Sequence, residues 1–289
     1  MQKHFELDYN KLVQNKLASH DKHSAMAQSI GGNFVHFGAF QRELLLQHGL
    51  KANDSIVDIG CGAGRLANAL KEFSELNYVG IDVVQDLLDY AQDICARPDW
   101  QFIKLTNFKL PLADNSMDMV TAFSVFTHLF HEECYAYLAE FRRVLKPGGK
   151  VVFTFLDYSV PTHWSIFITN LLGIQDHLNQ FLDPKAIEVW CQHLQFTIEG
   201  IFPGDQPHIQ LSETVAAEDG TFYRGKVALG QSICVLQKPI NAENSICAAL
   251  PDDFDSAQYL ALNPDIAAST IDPAVHFIMH GQFEQRRYR

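Results

Sequence analysis

The residues best equipped for chemistry form the run Val57-Asp58-Ile59-Gly60-Cys61-Gly62-Ala63-Gly64-Arg65. Glycine adopts positive φ freely and lets a backbone approach a ligand closely. A glycine loop between a strand and a helix is where open α/β sheets hold nucleotides. The spacing here is G-x-G-x-G, one residue shorter than the dinucleotide fingerprint G-x-G-x-x-G. Arg65 moreover crowds the place a pyrophosphate would take. A nucleoside ligand without a diphosphate is therefore expected. A second feature supports it: Gly80-Ile81-Asp82 ends the next apolar run, where an acid can accept hydrogen bonds from both ribose hydroxyls. A third is Ser124-Val125-Phe126-Thr127-His128-Leu129, which carries an imidazole whose ordinary pKa suits general base work. His128 has an alternative role, capping the following helix or orienting the loop.

Positioning these groups requires alternating strands and helices. Apolar runs at 55–59, 77–82, 100–105, 118–124 and 150–156 read as strands, separated by helical patterns at 65–73, 85–96 and 131–145. Pro147-Gly148-Gly149 stops the last of these helices. After a helix at 184–193, stretches 196–202 and 231–237 read as an antiparallel pair closing the sheet. The expected fold is α/β: a Rossmann-like, doubly wound, mostly parallel seven-stranded sheet. An N-terminal helical cap precedes it (residues 1–50), in which 33–40 is rich in aromatics and His without a clear period. The core runs over 51–240, with an insertion at 157–183 over the sheet's C-terminal edge. A linker (241–251) then leads to a small helical module (252–289).

Four motifs in order resemble the class I S-adenosylmethionine-dependent methyltransferases: the loop Val57–Arg65, Asp82, the stretch Leu110-Pro111-Leu112-Ala113-Asp114-Asn115-Ser116-Met117-Asp118, and Leu145-Lys146-Pro147-Gly148-Gly149-Lys150. The resemblance covers about residues 40–156 well. It implies S-adenosylmethionine as cofactor and S-adenosylhomocysteine as product. It also implies that Asp58 meets the methionine amino group and that the Gly60-Cys61-Gly62-Ala63-Gly64 backbone passes beneath methionine and ribose. Asp82 would hold the ribose and Val83 would lie against adenine. Where the family often has an Asp for the adenine amine, this chain has Thr106-Asn107-Phe108; Asn107 can accept through its amide oxygen and Phe108 can cover the adenine face. Ser124 and His128 fall next to the transferred methyl, with His128 the candidate catalytic residue. His36 in the cap could belong to a lid, and His163 lies in the insertion, the usual substrate-selecting region. Glu132 and Glu133 begin a helix and read as structural.

The tail, from Phe254-Asp255 through Tyr259-Leu260 and Asn263-Pro264-Asp265 to His276 and Gly281, resembles a helical module appended to bacterial glycosyltransferases and other surface-glycan proteins. The formal net charge of −12 argues against a nucleic-acid partner, despite Arg286, Arg287 and Arg289. Cys61, Cys95, Cys134, Cys191, Cys234 and Cys247 lack C-x-x-C spacing and read as reduced core residues. No metal site is expected. Neither a signal peptide nor a membrane span is evident, so a cytoplasmic location is expected. The leading expectation is O-methylation of a sugar or other small hydroxylated acceptor in surface-polysaccharide metabolism. The rivals are a protein or peptide methyltransferase, and a non-catalytic cofactor-binding scaffold. The C-terminal module is expected to mediate oligomerisation or to engage a glycan-assembly partner.

Overall fold

The computed structural model describes residues 4–174, 177–240, 251, 253–269, 271–277, 281 and 286–288. The chain divides into two compact units, Met1–Ile240 and Asn241–Arg289.

Three helices open the first unit: α1 (His4–Leu17), α2 (Lys22–Ser29) and α3 (Phe34–Gln47). There follow β1 (Ser55–Ile59), α4 (Arg65–Leu70), β2 (Asn77–Asp82), α5 (Gln85–Cys95), β3 (Gln101–Lys104), β4 (Met117–Ala122), α6 (His131–Val144) and β5 (Leu145–Asp157). The insertion holds α7 (Trp164–Leu171) and the short β6 (Phe181–Leu182). Next come α8 (Pro184–His193), β7 (Thr197–Phe202), four two-residue strands β8–β11 between residues 209 and 227, and β12 (Ser232–Gln237). The main sheet has the order β3-β2-β1-β4-β5-β12-β7. Pairs from β3 to β5 are parallel, and β12 runs antiparallel to both β5 and β7. The seven expected strands are all present, and β6 adds an eighth by pairing with β5.

Period-two alternation builds both faces of the sheet. Val57, Ile59, Val120 and Phe153 pack on one side with Leu138 and Phe141 of α6 and Ile187 of α8. Ile56, Tyr78, Met119 and Val152 pack on the other with Leu44 and Leu45 of α3 and Leu66 and Leu70 of α4. One expectation is corrected in the cap. Residues 34–40, aperiodic by sequence, form the first half of α3. Asn33 enters that helix at φ +52 without a side-chain cap, so the usual start signal is missing. His36, Gly38 and Phe40 are buried there because neighbouring elements cover more than one face.

In the second unit the motif residues serve the fold. Asp255 accepts from Gln258 N at 2.7 Å and starts a helix over Ser256–Leu262. Asp272 accepts from the Ala274 and Val275 amides and starts another over Pro273–His276. Tyr259, Ile266 and Phe277 form the small core, and the Tyr259 hydroxyl pairs with His276 Nδ1 at 2.9 Å. A Cβ on Gly281 would run into that hydroxyl. The predicted linker 241–250 and the predicted end of the last helix, 278–280, lie outside the described residues.

Candidate active site

The glycine loop turns the chain from β1 into α4 and is tied to β2. The amides of Gly60 and Cys61 both donate to the Ile81 carbonyl, at 2.7 and 3.1 Å. Gly60 and Gly62 take φ of +66 and +55. A Cβ on Gly62 would sit 2.7 Å from Ile30 Cγ2, and one on Gly60 would collide with Val125. The cap residue Ile30 and the post-β4 residue Val125 therefore close directly on this loop. Gly64 has a different purpose. It is not on the cavity wall; its Cβ would strike Ala91 of α5, so this glycine allows α4 and α5 to meet.

Two acids flank the loop, Asp58 buried and Asp82 half-buried. Asp82 is pinned by backbone amides, Oδ2 accepting from Gly62 N and Oδ1 from Val84 N, each at 2.9 Å. Each oxygen keeps lone-pair capacity for a ligand hydroxyl. Burial raises the Asp82 pKa, opposed by those amides. Asp58 accepts from the Tyr78 hydroxyl at 2.7 Å and from Thr121 Oγ1 at 2.9 Å. It is 3% exposed, and desolvation pushes its pKa up to about 7 against both hydrogen bonds.

A cavity of about 460 Å³ opens over these groups, a size suited to burying a small ligand. Its floor carries Asp58, Gly60, Cys61, Gly62, Asp82 and Val83, and its far wall carries Ser124 and His128. Phe5, Tyr9 and Leu12 of α1 cover it. A recess of about 220 Å³ shares Gln41, Arg65, Ser124 and Gln231 with the cavity. Ser124 sits at φ +57, a costly conformation for a non-glycine residue. Its amide donates to Thr154 Oγ1 at 2.7 Å and its hydroxyl to Gln231 Oε1 at 3.2 Å.

His128 lies at the end of a single 3₁₀ turn, Phe126–His128. Its Nδ1 is 2.7 Å from the Leu178 carbonyl. A carbonyl only accepts, so Nδ1 carries the proton and Nε2 presents a lone pair. Burial drives its pKa down to about 4, which keeps the ring neutral at physiological pH. Its ring meets Tyr9 edge-on at 5.2 Å and His177 at 5.1 Å between centroids, and all three line the cavity.

Several residues expected at the site stand elsewhere. Asn107 and Phe108 are not on the cavity wall. The Asn107 amide oxygen accepts from Lys109 N, folding the turn on itself, while Phe108 packs against Phe5 and Tyr137 in the core. Leu105 and Tyr137 line the cavity beyond Val83 instead. His36 is no lid residue, since Glu218 receives its Nδ1 at 2.6 Å and holds it away from the cavity. His163 is buried and braces the Asp157 amide and the Gly230 carbonyl; His177 is the insertion's histidine at the cavity. Glu133 is structural as expected, accepting from Phe130 N at 3.0 Å. Tyr9, Gln41, His177 and Gln231 carry no local motif, and only tertiary structure brings them to the site.

The donor set fits a zwitterionic nucleoside. Asp82 suits a ribose diol and Asp58 suits an ammonium. Arg65 lines the cavity with its Nε buried and, among the described residues, without a hydrogen-bond partner, which suits a carboxylate. Residues 57–153 match the family model described as a methyltransferase domain. Those residues are similar to a methyltransferase domain, and the cofactor of such domains, S-adenosylmethionine, is the one this donor set fits. An uncharacterized methyltransferase of Schizosaccharomyces pombe is 33% identical over 112 residues, which are 35% of this chain and 40% of that protein. A sterol 24-C-methyltransferase of the same yeast is 30% identical over 155 residues, 50% of this chain and 39% of that protein. The chain thus spans less than half the length of these curated relatives. The solved SAM-dependent methyltransferase of Thermotoga maritima superposes with a TM-score of 0.53 at 17% identity, covering 80% of this chain and 99% of that one. The fold is shared with that enzyme.

Proposed function

We propose that this chain methylates a hydroxyl group of a small acceptor, a sugar being the leading class, with His128 as general base. The observation that carries this reading is the His128 tautomer: Nδ1 is committed to the Leu178 carbonyl, so the free lone pair is on Nε2 of a residue in the cavity wall. The cofactor supplies an electrophilic methyl on a sulfonium. Asp58, Asp82 and Arg65 would hold it, and Ser124 would lie near the reacting centre. What this chain then contributes is alignment and proton removal. Transfer of that methyl, with loss of the carbon–sulfur bond, would require the cavity wall to hold the acceptor oxygen in line with it and His128 Nε2 to take up the hydroxyl proton. Positioning supplies most of the rate; a general base adds about 10²- to 10⁴-fold when its pKa lies near the working pH, and burial that lowers the His128 pKa to about 4 puts its share toward the bottom of that range. The glycan-associated likeness of residues 254–281 supports a setting in surface-polysaccharide assembly and a cytoplasmic site of action.

The test is an acceptor screen scored by S-adenosylhomocysteine release, run with wild type and His128→Ala. Turnover on a hydroxylated acceptor that falls at least 100-fold in the variant, with S-adenosylhomocysteine affinity kept within threefold, supports the reading. Methylation confined to protein, or full activity in His128→Ala, overturns it.

A further inference from the structure

The helix α7 wears its apolar face outward. Trp164, Ile168, Leu171 and Leu172 follow the i, i+4, i+7, i+8 spacing of one helix stripe, and they are 44%, 45%, 74% and 64% exposed. Ile174, just past the helix, is 64% exposed, and Tyr158 just before it is 44% exposed. The adjoining side of α7 does the packing: Phe167 lies against Trp164, Phe181 and Tyr158, and Asn170 exchanges two hydrogen bonds with Asn179. An ordinary surface helix does the reverse, hiding its apolar stripe and showing its polar one.

Two further observations say what this face meets. From Tyr158 to Gln175 the sequence contains no Asp, Glu, Lys or Arg, in a chain whose charged residues are 19% overall and whose net charge is −12. Apolar surface edged by Trp and Tyr, with no charge to desolvate, has the chemistry of the aromatic belt at a membrane–water interface. The helix is also tied to a segment of the cavity wall. Asn179, held by Asn170 of α7, follows directly on Leu178, which fixes His128, and on His177, which lines the cavity. Among the described residues no helix is long and apolar enough to cross a membrane, so the contact would be with the surface of the bilayer.

We propose that α7 and its flanks dock on an electrically neutral lipid surface and that the acceptor is an amphiphile, its hydroxylated head entering the cavity while its apolar part stays in the bilayer. This deepens the methyltransferase reading above and rests on it for the reaction alone; docking itself is independent of turnover. The partner is neutral because a strongly anionic protein is repelled from an anionic surface.

The experiment is co-flotation of the full chain with phosphatidylcholine vesicles, alongside S-adenosylhomocysteine titration and light-scattering mass. The variant replaces Ile168, Leu171 and Leu172 by Ser; these side chains are exposed and off the cavity wall, so the fold and cofactor site stay intact. Expected results are flotation of wild type, at least tenfold weaker partition of the variant, weaker partition when anionic lipid is added, and unchanged S-adenosylhomocysteine affinity in both proteins. Absence of flotation by a wild type that binds S-adenosylhomocysteine overturns the docking proposal and leaves the enzyme reading standing. So does a dimer that the triple variant splits, since the face would then be an interface between copies. Binding only to anionic vesicles also overturns it. If flotation succeeds but neither protein binds S-adenosylhomocysteine, the methyltransferase reading fails and docking stands.

Discussion

Tyr78 and Asp58 stand on adjacent parallel strands, on the same face, with the Tyr78 hydroxyl donating to Asp58 Oδ2 at 2.7 Å. The tyrosine is wholly buried, and its hydroxyl supports a carboxylate whose burial raises its pKa from 3.8 to about 7. The acid is thus poised to change its charge near neutral pH. An ammonium placed beside it favours the ionised form and pulls the pKa back down. Binding of S-adenosylhomocysteine is therefore expected to release about one proton below pH 7, and affinity should fall about tenfold per pH unit well below that point. Without ligand the sign of the stability effect is the opposite. Between pH 4 and 7 the folded protein holds a proton that the unfolded chain has lost, so this group's contribution to stability declines as pH rises through that window. Calorimetry at pH 6 in two buffers of different ionisation enthalpy measures the released proton. Asp58→Asn should abolish the release and weaken binding, and Tyr78→Phe should move the transition to higher pH.

The parts of this site that were legible in the sequence are local. Asp58, the three glycines and Asp82 lie within 25 residues of one another, at strand ends whose apolar runs are unmistakable. The mostly parallel sheet followed because strands alternate with helices whose periodicity is visible; the strand order comes from the structure. The missed residues share a physical cause. Tyr9 reaches the cavity from a helix, 49 residues before Asp58, and Gln231 from the residue that precedes β12. Neither position has a local signature, since side-chain convergence depends on packing that spacing does not encode. Asn107 is a related case: its amide oxygen accepts from Lys109 N, a local turn that the residue type alone does not announce. His163 and His177 are indistinguishable by type and lie in one insertion, yet the fold buries one as a brace and puts the other at the cavity.

Arg65 has two tasks, and they can be separated. Its Nη2 donates to the Ile30 and Gly32 carbonyls, at 2.5 and 2.6 Å, clamping the cap onto the start of α4. Burial without a directly paired acid lowers its pKa to about 10, so it stays charged. If its unpartnered Nε receives the methionine carboxylate, Arg65→Gln should weaken S-adenosylhomocysteine about 10- to 100-fold, the scale of a hydrogen bond to a charged group. Methylthioadenosine, which lacks the carboxylate, should bind both proteins alike. Equal losses for the two ligands would mean that the clamp on the cap is what matters.

Gly64 should behave as a folding residue despite its place in the signature loop. It holds φ +80, and a Cβ there would be 2.8 Å from Ala91 Cβ and 3.0 Å from Ala91 Cα. Gly64→Ala should cost about 1–3 kcal/mol through backbone strain and crowding together. Adding Ala91→Gly should restore part of the loss, because it removes one of the clashing atoms. Denaturant midpoints of the two single variants and the double variant measure this coupling. S-adenosylhomocysteine affinity, taken where each protein is still folded, should change less than threefold.

Lys238 marks where the core ends. Its side chain is 3% exposed and donates to Asn115 Oδ1 at 2.7 Å and to the Arg142 and Leu145 carbonyls, each at 2.8 Å. An ammonium at the end of α6 satisfies carbonyls that the helix leaves unpaired and complements its dipole. The Lys238 backbone also exchanges hydrogen bonds with the Gly148-Gly149 turn, at 2.7 and 2.9 Å. A chain ending after Ile240 keeps all of these and is expected to fold with full S-adenosylhomocysteine affinity. Lys238→Met in that shortened chain should lose about 1–3 kcal/mol by stranding buried acceptors. A chain ending after Gln237 loses the side chain and the backbone pair together, and should fall further in urea midpoint than the point variant. If removing residues 241–289 alone lowers the midpoint as much as Lys238→Met does, the core does not end at this lysine and the tail is part of its stability.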